Sequence, residues 1–93
     1  MSITHIEGKN VGKVMLYALS TCVWCKKTRK LLEDLGVAYD YVYVDLLSGD
    51  EEESVMREVR KCNPAESMPT IVLNGRKCII GFREDDIREA LEK

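Results

Sequence analysis

Among 93 residues the chain holds one histidine, one tryptophan, one phenylalanine and two prolines. Each scarcity excludes something. The single histidine, His5, has no partner at a useful spacing, so it builds no histidine metal site and reads as a solvated residue. Lysine and arginine do not outnumber the acids, and the formal net charge is -2. There is no basic stripe and no arginine-rich arm with interleaved aromatics, so nothing asks for nucleic acid. No apolar run is long enough for a signal-peptide core or a membrane span. The expectation is a cytoplasmic protein of one domain, with monomer as the default state. Structural disulfides are rare in that compartment. Four cysteines there point to catalysis or metal rather than to a disulfide scaffold.

Two of the four stand together. Cys22, Val23, Trp24 and Cys25 follow an apolar run, Val14, Met15, Leu16, Tyr17 and Ala18, and precede a helical pattern. The order predicts a buried strand, a short turn and a cysteine pair at a helix N-terminus. A thiol at that end faces unpaired backbone N–H groups and the positive end of the helix dipole, and both favour thiolate over thiol. Lys26 and Lys27 add positive charge nearby. Cys22 is therefore the candidate reactive thiolate, and Cys25 is close enough to close a disulfide on it.

The rest of the chain supplies a scaffold. Residues 1–13 are polar with two glycines and read as an arm or a short extra element. Ser20 and Thr21 are the candidate cap of a helix from about Cys22 to Leu35, with Thr28, Leu31, Leu32 and Leu35 on one face and Lys26, Arg29, Lys30 and Glu33 outside it. Gly36 suits the position just past its end. Tyr39 to Asp45 is rich in strand formers, and its three tyrosines read as strand-face packing. A second helix opens on Asp50, Glu51, Glu52 and Glu53 and ends near Arg60, Lys61 and Cys62, acids and bases each at the favoured end of the dipole. Its apolar stripe is Val55, Met56, Val59 and Cys62, and Asn63 and Pro64 stop it. Asn74–Gly75 between two apolar runs signals a hairpin. A last helix spans about Asp86 to Glu92. The order β-α-β-α-β-β-α predicts an α/β fold: one four-stranded mixed sheet flanked by three helices. Cys62 and Cys78, one on a helix stripe and one in a strand, read as small buried hydrophobes.

The cysteine pair after the first strand, Met68–Pro69–Thr70 before the third, and Gly81–Phe82 before the last helix together resemble the glutaredoxin branch of the thioredoxin fold. The resemblance covers residues 14–93. Gly81–Phe82–Arg83 is most similar to the NrdH-redoxins, thiol carriers that serve ribonucleotide reductase. It implies a thiol–disulfide oxidoreductase acting on protein disulfides, with Cys22 as nucleophile and Cys25 as resolving thiol. It also implies a cis Met68–Pro69 bond beside the cysteines. The residues alone leave open a trans proline at a strand edge. The docking surface would comprise Thr21, Trp24, Met68, Pro69, Gly81 and Phe82, with Arg83 completing it. Glutaredoxins often carry a lysine where Leu19 stands, and a Gln or Arg that holds the glutathione carboxylate near Ala65 and Glu66. These departures argue against glutathione binding; the donor stays open between a thioredoxin-reductase-type protein and glutathione, with no tightly bound cofactor. Alternative readings are a glutathione-dependent enzyme and an iron–sulfur carrier using Cys22. A zinc site of all four cysteines lacks a second close-spaced pair.

Overall fold

The structure, a computed structural model, describes residues 3–92. Met1 and Ser2 of the expected arm and Lys93 of the expected domain lie outside the described residues. Five strands and three helices follow one another: β1 (Thr4–Ile6), β2 (Val14–Ala18), α1 (Val23–Asp34), β3 (Tyr39–Tyr43), α2 (Gly49–Cys62), β4 (Thr70–Leu73), β5 (Lys77–Ile80) and α3 (Glu84–Leu91). A single turn of 3-10 helix, Val44–Leu46, follows β3 where the sequence suggested that the strand continues. The last helix starts two residues earlier than expected, so that Glu84, Asp85 and Asp86 all lie in its first turn, where acids complement the dipole. Among the described residues no helix is long and apolar enough to cross a membrane.

The sheet has five strands in the order β1-β3-β2-β4-β5, not four. The extra strand comes from the arm. β1 is three residues long and largely exposed, and it pairs antiparallel with β3, His5 facing Asp40. So short and polar a segment has no periodicity to read. A further clasp holds the arm: Lys9 N–H donates to Gly36 C=O at 2.7 Å, and Ala38 N–H to Lys9 C=O at 2.9 Å. Gly8 permits this approach. A Cβ there would come within 2.6 Å of the Val37 carbonyl carbon.

β2 lies at the centre of the sheet, and all five of its residues are buried. Val14, Leu16 and Ala18 face α1 and α3 and pack with Leu31, Leu32, Ile87 and Leu91. Met15 and Tyr17 face the other way and pack with Val42 and Val59. A strand covered on both faces has no polar side, so its sequence reads as a continuous apolar run. Each fully buried Leu or Ile of this core contributes about 1.5–3 kcal/mol relative to exposure.

The tyrosines of β3 pack as expected. Tyr39 is buried, and the Tyr41 and Tyr43 rings meet edge-on at 5.4 Å. Arg29, expected outside the helix's buried face, instead lies over the Tyr41 ring at 3.9 Å and donates to the Tyr39 and Tyr43 hydroxyls. Its aliphatic stem and planar head cover an aromatic face, a task its charge does not advertise.

Sheet register brings distant segments to one end. β2 runs parallel to β3, with Ala18 opposite Tyr43, and antiparallel to β4, with Tyr17 opposite Thr70. β4 runs antiparallel to β5, with Thr70 opposite Ile80. The exits of β2, β3 and β5 and the entry to β4 therefore share one edge of the molecule. That edge carries Cys22–Cys25, Asp45, Met68–Pro69 and Gly81–Phe82.

Candidate active site

The cap of α1 is Cys22 itself. Its backbone is extended (φ -90°, ψ 119°), and its sulfur accepts the Cys25 N–H at 3.2 Å. Ser20, expected to cap, is turned elsewhere: its N–H and hydroxyl donate to the Asp45 carboxylate at 2.9 and 2.5 Å. Those hydrogen bonds hold the Asp45 carboxyl below its usual range. They also tie the loop before Cys22 to the end of β3.

Cys22 is half-buried and Cys25 is 1% exposed, and both thiols are free. Helical spacing turns Cys25 toward the core, on the face shared with Thr28, Leu31 and Leu32. Burial, then hydrogen bonding to the Cys22 sulfur, pushes the Cys25 thiol up to about 12, against the opposing pull of the Leu19 N–H at 3.5 Å. Cys25 thus keeps its proton at neutral pH. Two adjacent sulfurs stand in unlike surroundings, one near the surface and one in the core.

The remaining predicted residues gather beside the pair. The Met68–Pro69 bond is cis. Trp24, Met68, Pro69, Gly81 and Phe82 line one shallow cavity of about 270 Å³. Trp24 is 55% exposed and stacks on Phe82, ring centroids 5.9 Å apart. Gly81 N–H donates to Pro69 C=O at 2.8 Å, and Gly81 does so at a φ of +85°, where a side chain is strained. Thr21 is exposed on the turn before Cys22. Arg83, at the start of α3, is engaged by Asp86 at 2.7 Å. Lys26 is exposed. Lys27 holds its ammonium 4.6 Å from the Trp24 ring centroid, a cation–π contact.

Sequence reasoning missed two features. Asn63 is 2% exposed, and its amide donates to the Ser67 carbonyl (2.8 Å), the Ser67 hydroxyl (3.0 Å) and the Thr70 hydroxyl (3.1 Å). The sequence showed only a helix stop there, Asn63 before Pro64. These bonds clamp both flanks of Met68–Pro69. The second miss is a correction: Cys62 and Cys78 are not separate free thiols in the core but a disulfide, both half-buried. Cys62 does lie on the stripe of α2. Strand alternation turns Cys78 to the face that α2 covers, since its neighbour Ile79 packs on the α1 side. The two sulfurs are thereby joined to each other and not drawn to the Cys22–Cys25 pair.

The glutaredoxin family profile matches residues 14–78, from the start of β2 into β5. This chain belongs to the glutaredoxin family. The crystal structure of a glutaredoxin from Methanosarcina mazei Go1 is 56% identical and superposes with a TM-score of 0.92, covering 100% of this chain and 90% of that one. Methanoredoxin of Methanosarcina acetivorans is 53% identical with a TM-score of 0.89, over 92% of this chain and 90% of its own. A glutaredoxin-like 8.6 kDa protein in a rubredoxin operon of Clostridium pasteurianum is 31% identical over 86% of this chain and 99% of its length. NrdH-redoxin of Escherichia coli, at 22% identity and a TM-score of 0.63, shares the fold. This glutaredoxin therefore carries the thioredoxin-like fold and a cysteine pair of the kind its family uses for thiol–disulfide exchange.

Proposed function

We propose that this glutaredoxin is a dithiol electron carrier that reduces protein disulfides, with Cys22 as nucleophile and Cys25 as resolving thiol. The observation that carries the reading is the contrast between the two thiols. Cys22 caps α1 near the surface with an N–H on its sulfur, while Cys25 is buried one turn inward and keeps its proton. In the first step the Cys22 thiolate attacks one sulfur of the substrate disulfide. A mixed disulfide forms, and the other substrate sulfur leaves as a thiolate that takes up a proton. Cys25 then gives up its proton and attacks the Cys22 sulfur. The second substrate thiol is released, and two electrons have passed from the pair to the substrate.

The cavity beside the pair suits an extended polypeptide. Trp24 and Phe82 offer stacked rings, and the segment before β4 offers backbone groups to which a substrate strand can hydrogen-bond. The donor we favour is a thioredoxin-reductase-type protein. Leu19 is apolar and packs against the α2-side core. Glu66 is a carboxylate already engaged by Arg60 at 3.4 Å. Neither supplies the cation that would hold a glutathione carboxylate, and no tightly bound cofactor enters this reading. Disulfide-bearing proteins such as ribonucleotide reductase are the substrate class, and a monomer in the cytoplasm is the working form.

The test is a pair of substitutions. Cys22→Ser abolishes protein-disulfide reduction, whereas Cys25→Ser retains the first exchange and accumulates mixed disulfides detectable by mass. Full activity in Cys22→Ser overturns the mechanism. NADPH consumption with glutathione and its reductase, compared with a thioredoxin reductase, separates the two donors.

A further inference from the structure

The half-buried disulfide lies where it can act on the docking loop. Cys62 is the last residue of α2, and Cys78 is the second residue of the edge strand β5. Their Cα atoms are 5.8 Å apart, and 16 positions separate them in sequence. That span contains the loop carrying Met68 and Pro69. Cys62 is followed directly by Asn63, whose buried amide holds Ser67 and Thr70 on either side of Met68–Pro69. Thr70 in turn donates its hydroxyl to the Ser67 carbonyl at 2.8 Å. From the opposite side, Gly81, just past the strand that bears Cys78, donates to the Pro69 carbonyl. The disulfide therefore joins the two supports of the docking loop, α2 with Asn63 and β5 with Gly81.

We infer that Cys62–Cys78 is a second redox couple of this chain, one that regulates exchange and does not perform it. Oxidised, it holds α2 and β5 together and keeps Met68–Pro69 seated beside Cys22. Reduced, it leaves Asn63 and Gly81 on elements no longer joined, and the docking loop loosens. The couple is open to an external dithiol, because Cys62 and Cys78 are both half-buried rather than enclosed in the core, and Cys78 lies on the edge strand β5. A thiolate of that dithiol attacks one sulfur, the Cys62–Cys78 bond breaks and a mixed disulfide forms. The second thiol of the reductant then closes its own disulfide, leaving Cys62 and Cys78 as two thiols with two electrons and two protons transferred. The functional consequence rests on the docking role proposed above; the redox couple itself does not.

The experiment uses the full chain with Cys22→Ser and Cys25→Ser, so that one disulfide remains. It is equilibrated against mixtures of reduced and oxidised dithiothreitol, alkylated and weighed. Two thiols are expected to appear together in one two-electron transition. Hydrogen exchange at residues 63–70 of the same protein should then quicken by about tenfold or more on reduction, while α1 amides stay protected. In the chain with Cys22 and Cys25 intact, Cys62→Ser/Cys78→Ser should raise KM for a protein disulfide about fivefold or more with kcat within about twofold, since docking and not chemistry is loosened. Reduction of hydroxyethyl disulfide, too small to span the loop, should be unchanged. Equal exchange at residues 63–70 in both states overturns the inference and leaves the mechanism standing. Activity in Cys22→Ser overturns the mechanism and leaves the exchange result standing.

Discussion

Breaking the Cys62–Cys78 bond should cost this small domain a large share of its stability. The bond closes a loop between cysteines 16 positions apart. Chain-entropy reasoning gives a loop of that size about 10 cal/mol/K of denatured-state entropy, or about 3 kcal/mol at 25 °C. A chain of 93 residues unfolds with an entropy of about 200 cal/mol/K, so the loss corresponds to a fall in Tm of about 15 °C. The assay is thermal unfolding by circular dichroism of Cys22→Ser/Cys25→Ser, oxidised and after reduction with a phosphine. Alkylation of two thiols confirms complete reduction. Cys62→Ser/Cys78→Ser should melt near the reduced protein and ignore the phosphine. A fall of less than about 3 °C on complete reduction would refute the loop-closure argument, because it is well below what closing such a loop should contribute.

Three further predictions follow from titration and packing. Cys25 holds its proton to about 12 in the fold, while an unfolded thiol releases its own near the ordinary value of 9.0. Above pH 9 the unfolded chain therefore binds fewer protons, so the urea midpoint of the reduced protein should fall from pH 9 toward 12; Cys25→Ala should flatten the part between 9 and 10, before the tyrosines add to it. The Asp40 hydrogen bond raises His5 above 6.5, so its contribution is fully present below pH 6.5 and is lost as pH rises through the folded value. Protection of β1 amides, corrected for the base-catalysed rate of an unfolded chain, should fall over that rise, and Asp40→Asn should shrink the fall to the part that Glu7 contributes. Gly8→Ala would drive a methyl group into the backbone of Val37 and Ala38 at 2.6–2.7 Å. It should cost about 1–3 kcal/mol in denaturant unfolding and leave disulfide reduction intact, since the clasp is at the opposite end of the sheet; lost activity would contradict that separation.

How far the sequence revealed the structure depended on how local each signal was. The strand at Val14–Ala18, the helix after Cys22 and the turn at Asn74–Gly75 are each decided by neighbouring residues, and the structure has them in place. Asn74 and Gly75 both take positive φ, with Arg76 N–H donating to Leu73 C=O at 3.1 Å, as the dipeptide signalled. The cavity-lining residues Trp24, Met68, Pro69, Gly81 and Phe82 lie up to 58 positions apart, yet they converge because β-α-β-α-β-β order leaves few topologies to choose from. Register was not local. Nothing near His5 announces Asp40, and nothing in a three-residue polar stretch announces a fifth strand.

The two cysteine pairs show the same divide inside one chemistry. Cys22 and Cys25 are three residues apart, so one helical turn sets their relation whatever the rest of the chain does. Cys62 and Cys78 meet only because α2 ends over the sheet face to which β5 turns Cys78. Each looks like a small hydrophobe on its own element, and that description is correct for Cys62 as far as the α2 stripe goes. What sequence patterning could not supply was that one face is shared by both elements. The physical distinction matters for function. A pair fixed by local geometry opens and closes without moving the fold, which suits repeated exchange. A pair fixed by tertiary packing cannot open without loosening the elements that it joins. One of those elements leads directly into Asn63, and through Asn63 to the loop proposed to receive the substrate.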